Sequence, residues 1–172
     1  KKFYTYGVNK KLSILDSIYM ILDPNYTLET EKSKNNIILE TTKILLEKLD
    51  ENFKNNSYRL LKCKKPIMKE CLDKNLLDNE MIKLYIADFF KVNLIILELS
   101  NSSFITCNRY DENKKTIILI KQFDYYLPLV NILGHIFESN IIDKIRHCFK
   151  QEEGLIEKNT KITNINVPSE ED

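Results

Sequence analysis

An α+β fold, with a small antiparallel or mixed β-sheet flanked by helices, is predicted for this chain by three observations. Apolar residues recur at helical spacing through residues 13–90. A continuous β-type run at 93–99 and further strand patterns follow, and one amphipathic helix closes the body. At 172 residues the chain is about one domain in length, predicted as a single domain over 1–150 with a tail over 151–172.

Residues 3–6 form a short aromatic strand or arm. Ser13 opens the first helix: its hydroxyl suits an N-cap, and Asp16 stands three residues on, in capping-box position. Ile14, Leu15, Ile18, Ile21 and Leu22 recur at helical spacing, and Asp23-Pro24-Asn25 ends the run, because proline disfavours helix in the residue before it. Residues 27–36 are polar and read as a loop. A second helix is predicted over 37–52 on the stripe Ile38, Thr41, Leu45 and Leu49. A loop at 52–57 and a weaker helical segment over 65–72 come next. Asp78 then caps a third helix, 79–90, apolar enough to be deeply buried.

The period now changes. Residues 93–99 (NLIILEL) read as a central strand covered on both faces. Strands at 104–109 and 116–121 are joined by a polar hairpin loop at 110–115. A fourth strand lies at 125–130, where Pro128 predicts an edge position or a bulge. The helix 140–149 carries Ile141, Ile142, Ile145 and Phe149. The tail, acidic at its end, is a flexible arm or a segment that orders on a partner.

Charge separates function classes. With 26 basic and 25 acidic residues the net charge is +1, which gives no electrostatic case for nucleic acid or an anionic membrane. No apolar run reaches the ~18 residues of a membrane span, and no signal peptide is visible. The chain opens Lys1-Lys2 without methionine, which predicts a piece of a longer parent. Abundant Lys, Asn and Ile point to an A/T-rich genome. Cys63, Cys71, Cys107 and Cys148 show no CxxC and no metal-like spacing with His135 or His147. They read as reduced, mostly buried thiols of an intracellular protein.

Catalytic signatures are missing. There is no P-loop, GxGxxG or HExxH, and three glycines make a phosphate-cradling loop improbable. No cofactor and no metal site are predicted. A cysteine–histidine pair stays open in principle, but it needs an activated thiolate, commonly at a helix N-terminus, and none of the four cysteines opens a helix.

The order of elements resembles that of ovarian-tumour (OTU) type cysteine proteases, which remove ubiquitin and share a papain-like architecture. That family places its nucleophilic cysteine at the N-terminus of a helix after an Asp-Gly-Asn turn. The corresponding stretch here is Lys10-Lys11-Leu12-Ser13-Ile14-Leu15, with Ser13 where the cysteine would stand. The family's last motif is an apolar strand, a turn, then His-Tyr. Here residues 117–120 lead through Lys121-Gln122-Phe123-Asp124 to Tyr125-Tyr126, so Tyr125 stands in the histidine's place and Tyr126 matches the motif tyrosine. Asp78-Asn79-Glu80-Met81 resembles the middle motif.

The resemblance covers about residues 7–130, and the departures fall on the catalytic positions. A tyrosine, with a usual pKa near ~10, is a poor base at neutral pH, and the Asp-Gly-Asn turn is missing. The resemblance therefore implies a catalytically degenerate pseudo-protease in which Tyr125, Tyr126 and Asp78 are candidate binding residues. Its partner would be a protein, ubiquitin-like or a component of a virion. Together with the composition, it is similar to domains encoded by large DNA viruses. Two alternatives remain: an active ubiquitin-directed cysteine protease using a non-standard Cys/His pair with His135 or His147, and an architectural subunit of a larger assembly without protease ancestry. On residue chemistry alone, Ser13 reads as a plain helix cap and Tyr125-Tyr126 as ordinary strand aromatics.

Overall fold

A computed structural model describes residues 3–4, 12–131, 137–138 and 140–159. It is α+β. In chain order the elements are β1 (Phe3–Tyr4), α1 (Ser13–Leu22), α2 (Glu31–Asn55), α3 (Lys65–Asp73), α4 (Glu80–Phe89), β2 (Val92–Glu98), β3 (Ser103–Thr106), β4 (Lys115–Gln122), β5 (Tyr125–Pro128), β6 (Val130–Asn131), α5 (Ile141–Cys148) and β7 (Lys150–Gln151). Short 3₁₀ turns lie at Tyr26–Leu28 and Leu99–Asn101. Among the described residues, no helix is long and apolar enough to cross a membrane.

The main sheet is mixed, in the order β5-β4-β2-β3-β7. β2 runs parallel to β4 and antiparallel to β3. Its residues Val92–Leu97 are all buried, as a central strand with both faces covered requires. Alternation divides them. Leu94 and Ile96 join Ile117 and Leu119 in a large core under α1–α4, while Ile95 and Leu97 join Ile118 and Phe104 in a small one under α5. β5 is an edge strand, so Pro128 removes no interior ladder bond. β1 forms a separate two-stranded ribbon with β6; residues 5 and 6 of the expected aromatic strand lie outside the described residues.

Four boundaries differ from the sequence expectation, each for a physical reason. α2 starts at Glu31, inside the expected loop. Thr30 caps it by accepting the Ser33 N–H at 3.2 Å, and its first turns are polar because they face solvent. The loop at 110–115 is not a hairpin: β3 and β4 lie on opposite sides of β2, so the chain crosses the end of that strand. The buried Asn93 carboxamide holds the crossing. It donates to the Asp111 and Lys114 carbonyls (2.8 and 3.2 Å) and accepts the Asp111 N–H (2.9 Å). β3 ends at Thr106 because a side chain replaces backbone pairing. The Asn108 carboxamide accepts the Leu94 N–H at 3.1 Å and donates to the Val92 carbonyl at 2.8 Å.

Finally, the chain does not leave the body at 151. β7 pairs with β3, the Glu152 N–H donates to the Phe104 carbonyl, and a helical turn at 155–159 packs Leu155 and Ile156 on the large core. The rest of the expected tail, 160–172, lies outside the described residues.

Candidate functional site

The site forms where α1 meets β5. Helix α1 is buried almost all round, with Leu15 and Ile18 fully enclosed. Two serines one helical turn apart, Ser13 and Ser17, face the β5 backbone. The Ser13 Oγ accepts the Tyr126 N–H at 2.9 Å, and the Ser17 hydroxyl donates to the Tyr126 carbonyl at 3.1 Å. Both main-chain groups of an edge-strand residue are thereby satisfied by a helix, which closes an edge that would otherwise pair with another chain.

The expected capping box is corrected by this geometry. Leu12 holds the cap position without a side-chain cap bond, and Ser13 is the first helical residue, 4% exposed. Asp16, also buried, takes the Tyr26 hydroxyl in a short hydrogen bond. Burial and this carboxylate push the Tyr26 phenol above its ordinary range.

Tyr126 and Asp78 are brought together. The Tyr126 hydroxyl donates to Asp78 Oδ1 at 2.5 Å, and Lys83 Nζ reaches the same oxygen at 3.3 Å and the Tyr126 hydroxyl at 3.4 Å. Lys121 Nζ stands 3.9 Å from Asp78 Oδ2. Partial burial pushes the Asp78 carboxyl up, but the Tyr126 hydroxyl and the two lysines outweigh it and hold the group below the ordinary carboxylate range. Burial and Asp78 in turn push the Tyr126 phenol well up. The sequence expectation that Asp78 caps α4 is corrected. Asn79 caps it, accepting from the Met81 and Ile82 N–H groups at 2.9 and 3.4 Å, which leaves Asp78 outside the helix and free to meet Tyr126.

Tyr125 is the first residue of β5, half-buried and paired with Gln122. Ser13 lies beside its peptide bond, because the Tyr126 nitrogen it contacts is covalently joined to the Tyr125 carbonyl carbon. Strand alternation sends the Tyr125 ring to the face opposite the Tyr126 ring. Of the predicted residues, Ser13, Tyr126 and Asp78 therefore share one side of β5. Sequence reading missed Ser17, Lys83 and Lys121. The serine was legible as a second small hydroxyl at i+4 from Ser13.

An open cleft of about 360 Å³ borders this cluster, lined by Ser13, Cys71, Leu76, Asp78, Asp124 and Tyr126 among others, with no histidine among the described residues that line it. Leu76 is 56% exposed at its edge. The cysteines are all free thiols. Burial, aided by Asp88, pushes the Cys63 thiol up to about 11, and burial pushes Cys107 up to about 12, the opposite of nucleophile activation. Only these two are buried; Cys71 is half-buried and Cys148 exposed. His147 lies exposed on α5, across the sheet from Cys63, Cys71 and Cys107, and His135 lies outside the described residues. Among the described residues, no group of three or more His, Cys, Asp or Glu is placed to hold a metal ion.

No family model matches the sequence, and no curated protein matches it.

Proposed function

We propose that this chain is a non-catalytic, OTU-like pseudo-protease domain that binds a protein partner at the cleft beside Ser13, Asp78 and Tyr126. The observation that carries the reading is the Ser13–Tyr126 contact. The residue standing for the nucleophile and the strand standing for the histidine meet across 113 positions of sequence, yet as a clamp and not as a catalytic pair. The Ser13 oxygen accepts a backbone amide, and the described residues lining the cleft offer no imidazole to take its proton. A serine so held anchors α1 to β5 instead of attacking a carbonyl.

The cleft supplies what a binding module needs. It is open, carries the exposed Leu76, and has a polar floor ordered by the Asp78–Tyr126–Lys83 network. A ubiquitin-like protein is the partner that the resemblance implies, and an origin in a large DNA virus belongs to the same proposal.

Incubation with ubiquitin chains and with a thiol-reactive ubiquitin probe is expected to give neither cleavage nor labelling. Calorimetric titration with ubiquitin-like proteins is expected to show binding that Leu76→Asp weakens about tenfold. Cleavage or labelling overturns the non-catalytic reading. No binding at ~1 mM partner overturns the ubiquitin-like partner.

A further inference from the structure

The β4–β5 hairpin closes with the two-residue loop Phe123-Asp124 between paired Gln122 and Tyr125. Phe123 has φ 57°, and Asp124 is not among the positive-φ residues. A positive φ is a conformation that glycine, and next asparagine, adopts at less cost than a bulky residue. A side chain there strains the backbone. The Phe123 ring is also 86% exposed, the most exposed large hydrophobic among the described residues. It adds strain to its own chain and packs against little of it, so its use lies in contact with another molecule.

A matching hollow lies under the thinly covered face of the sheet. Between β4 and α5 runs a groove of about 410 Å³, walled by Leu97, Ile118, Leu129, Phe137 and Ile145. An apolar cavity of about 150 Å³ already takes up a benzene ring, so the groove has room for a phenyl side chain. Its wall is apolar except at the rim, where Lys144 stands exposed. Neither Lys144 nor Asp124 has an ion-pair partner among the described residues. The tip thus presents an aromatic ring followed by an exposed carboxylate, and the groove presents an apolar slot edged by an exposed ammonium.

We propose that Phe123 of one copy seats in the α5 groove of a second copy, with Asp124 meeting Lys144 at the rim. Knob and slot are different surface patches, so the contact is head-to-tail and generates a ring or an open chain of copies. This self-association does not use the Ser13–Tyr126 clamp; it shares only Asp124 with the wall of the cleft, so the Phe123 variants test it apart from partner binding there.

Sedimentation velocity over a concentration series up to ~1 mM tests it. The wild-type protein is expected to sediment faster as concentration rises. Phe123→Gly and Phe123→Asn, which both suit left-handed backbone, are expected to stay folded by circular dichroism and to sediment as monomers. Asp124→Lys and Lys144→Asp, each alone, place like charges at the contact and are expected to weaken association about tenfold at low salt. Mixing these two variants restores an opposite-charge pair at every contact and is expected to restore association. A wild-type protein that stays monomeric, a Phe123 variant that still associates, or a mixture no better than its components overturns the proposal.

Discussion

On one face of the sheet, four helices enclose Leu94, Ile96, Ile117 and Leu119; on the other, the eight-residue α5 covers Ile95, Leu97 and Ile118 and leaves a groove beside them. The same strands supply both faces, residue by residue, with similar apolar side chains. The faces differ in the helices available to cover them. A strand buried on both sides needs two covers of equal extent, and here the second is short. The large core accordingly carries the stability, and the small one carries the surface on which another molecule can be buried.

Thiol chemistry gives the widest expected separation between the two faces. Cys63 and Cys107 belong to the large core, whereas Cys148 is exposed at the rim of the groove. Burial pushes the Cys107 thiol well up, so little of it is thiolate at pH 8, and alkylation requires that form. Iodoacetamide followed by peptide mass mapping is expected to label Cys148 first and Cys107 at least about a hundredfold more slowly. Fast labelling of Cys107 would show that the helical cover opens readily, and would reopen a cysteine-based chemistry.

Truncation of the two cores should separate them next. Ile18 on α1 is fully enclosed, and Ile18→Ala is expected to cost about 4 kcal/mol in urea unfolding. Ile145 on α5 borders the groove, so its neighbours can relax into space already open, and Ile145→Ala is expected to cost about 2 kcal/mol. Equal costs would mean that the α5 face is as tightly packed as the other.

At the α1–β5 junction, Tyr126→Phe removes the hydroxyl that binds Asp78 and is expected to cost about 2 kcal/mol, since the acceptor is charged. The pH dependence has a definite sign. Asp78 is held below its ordinary value of 3.8 in the folded chain. Its stabilising contribution is therefore fully present above that value and is lost as pH falls through the lower folded one. Thermal unfolding of the wild type should weaken below about pH 4, and the Tyr126→Phe variant should lose less on the same descent. An identical acid limb in both proteins would remove Asp78 from the account.

Much of the fold was legible because burial writes itself into local pattern. The run at residues 93–99 announced a two-faced strand, observed as Val92–Glu98, and Asp23-Pro24 announced the end of α1. Pro128 announced an edge. What was not legible depends on partners distant in sequence. Asn93 and Asn108 look like ordinary strand residues, yet their carboxamides set the crossing between β3 and β4. Ser13 has every mark of a cap, and its true partner is Tyr126. Helix ends were obscure for another reason. The expected stop signal is glycine just past the last turn, and this chain puts Ser57, Asn75 and Lys91 there instead, all with positive φ.

Those three residues yield the smallest effect, and a control for the hairpin tip. Each follows a helix in the left-handed region, and the backbone closes as a helix-ending motif does. At α3 the Asn75 N–H donates to the Leu72 carbonyl and the Leu76 N–H to that of Cys71. Asparagine tolerates this conformation; serine and lysine do so at greater cost. Ser57→Gly and Lys91→Gly are each expected to add about 0.5 kcal/mol in urea unfolding, strain relief exceeding the added chain entropy, with association unchanged. Phe123→Gly relieves the same kind of strain and is expected to add a similar amount, but with loss of association. The strain at Ser57 and Lys91 finishes a helix, whereas that at Phe123 presents a side chain. If Phe123→Gly lowers stability instead, the ring packs on its own chain and the distinction collapses.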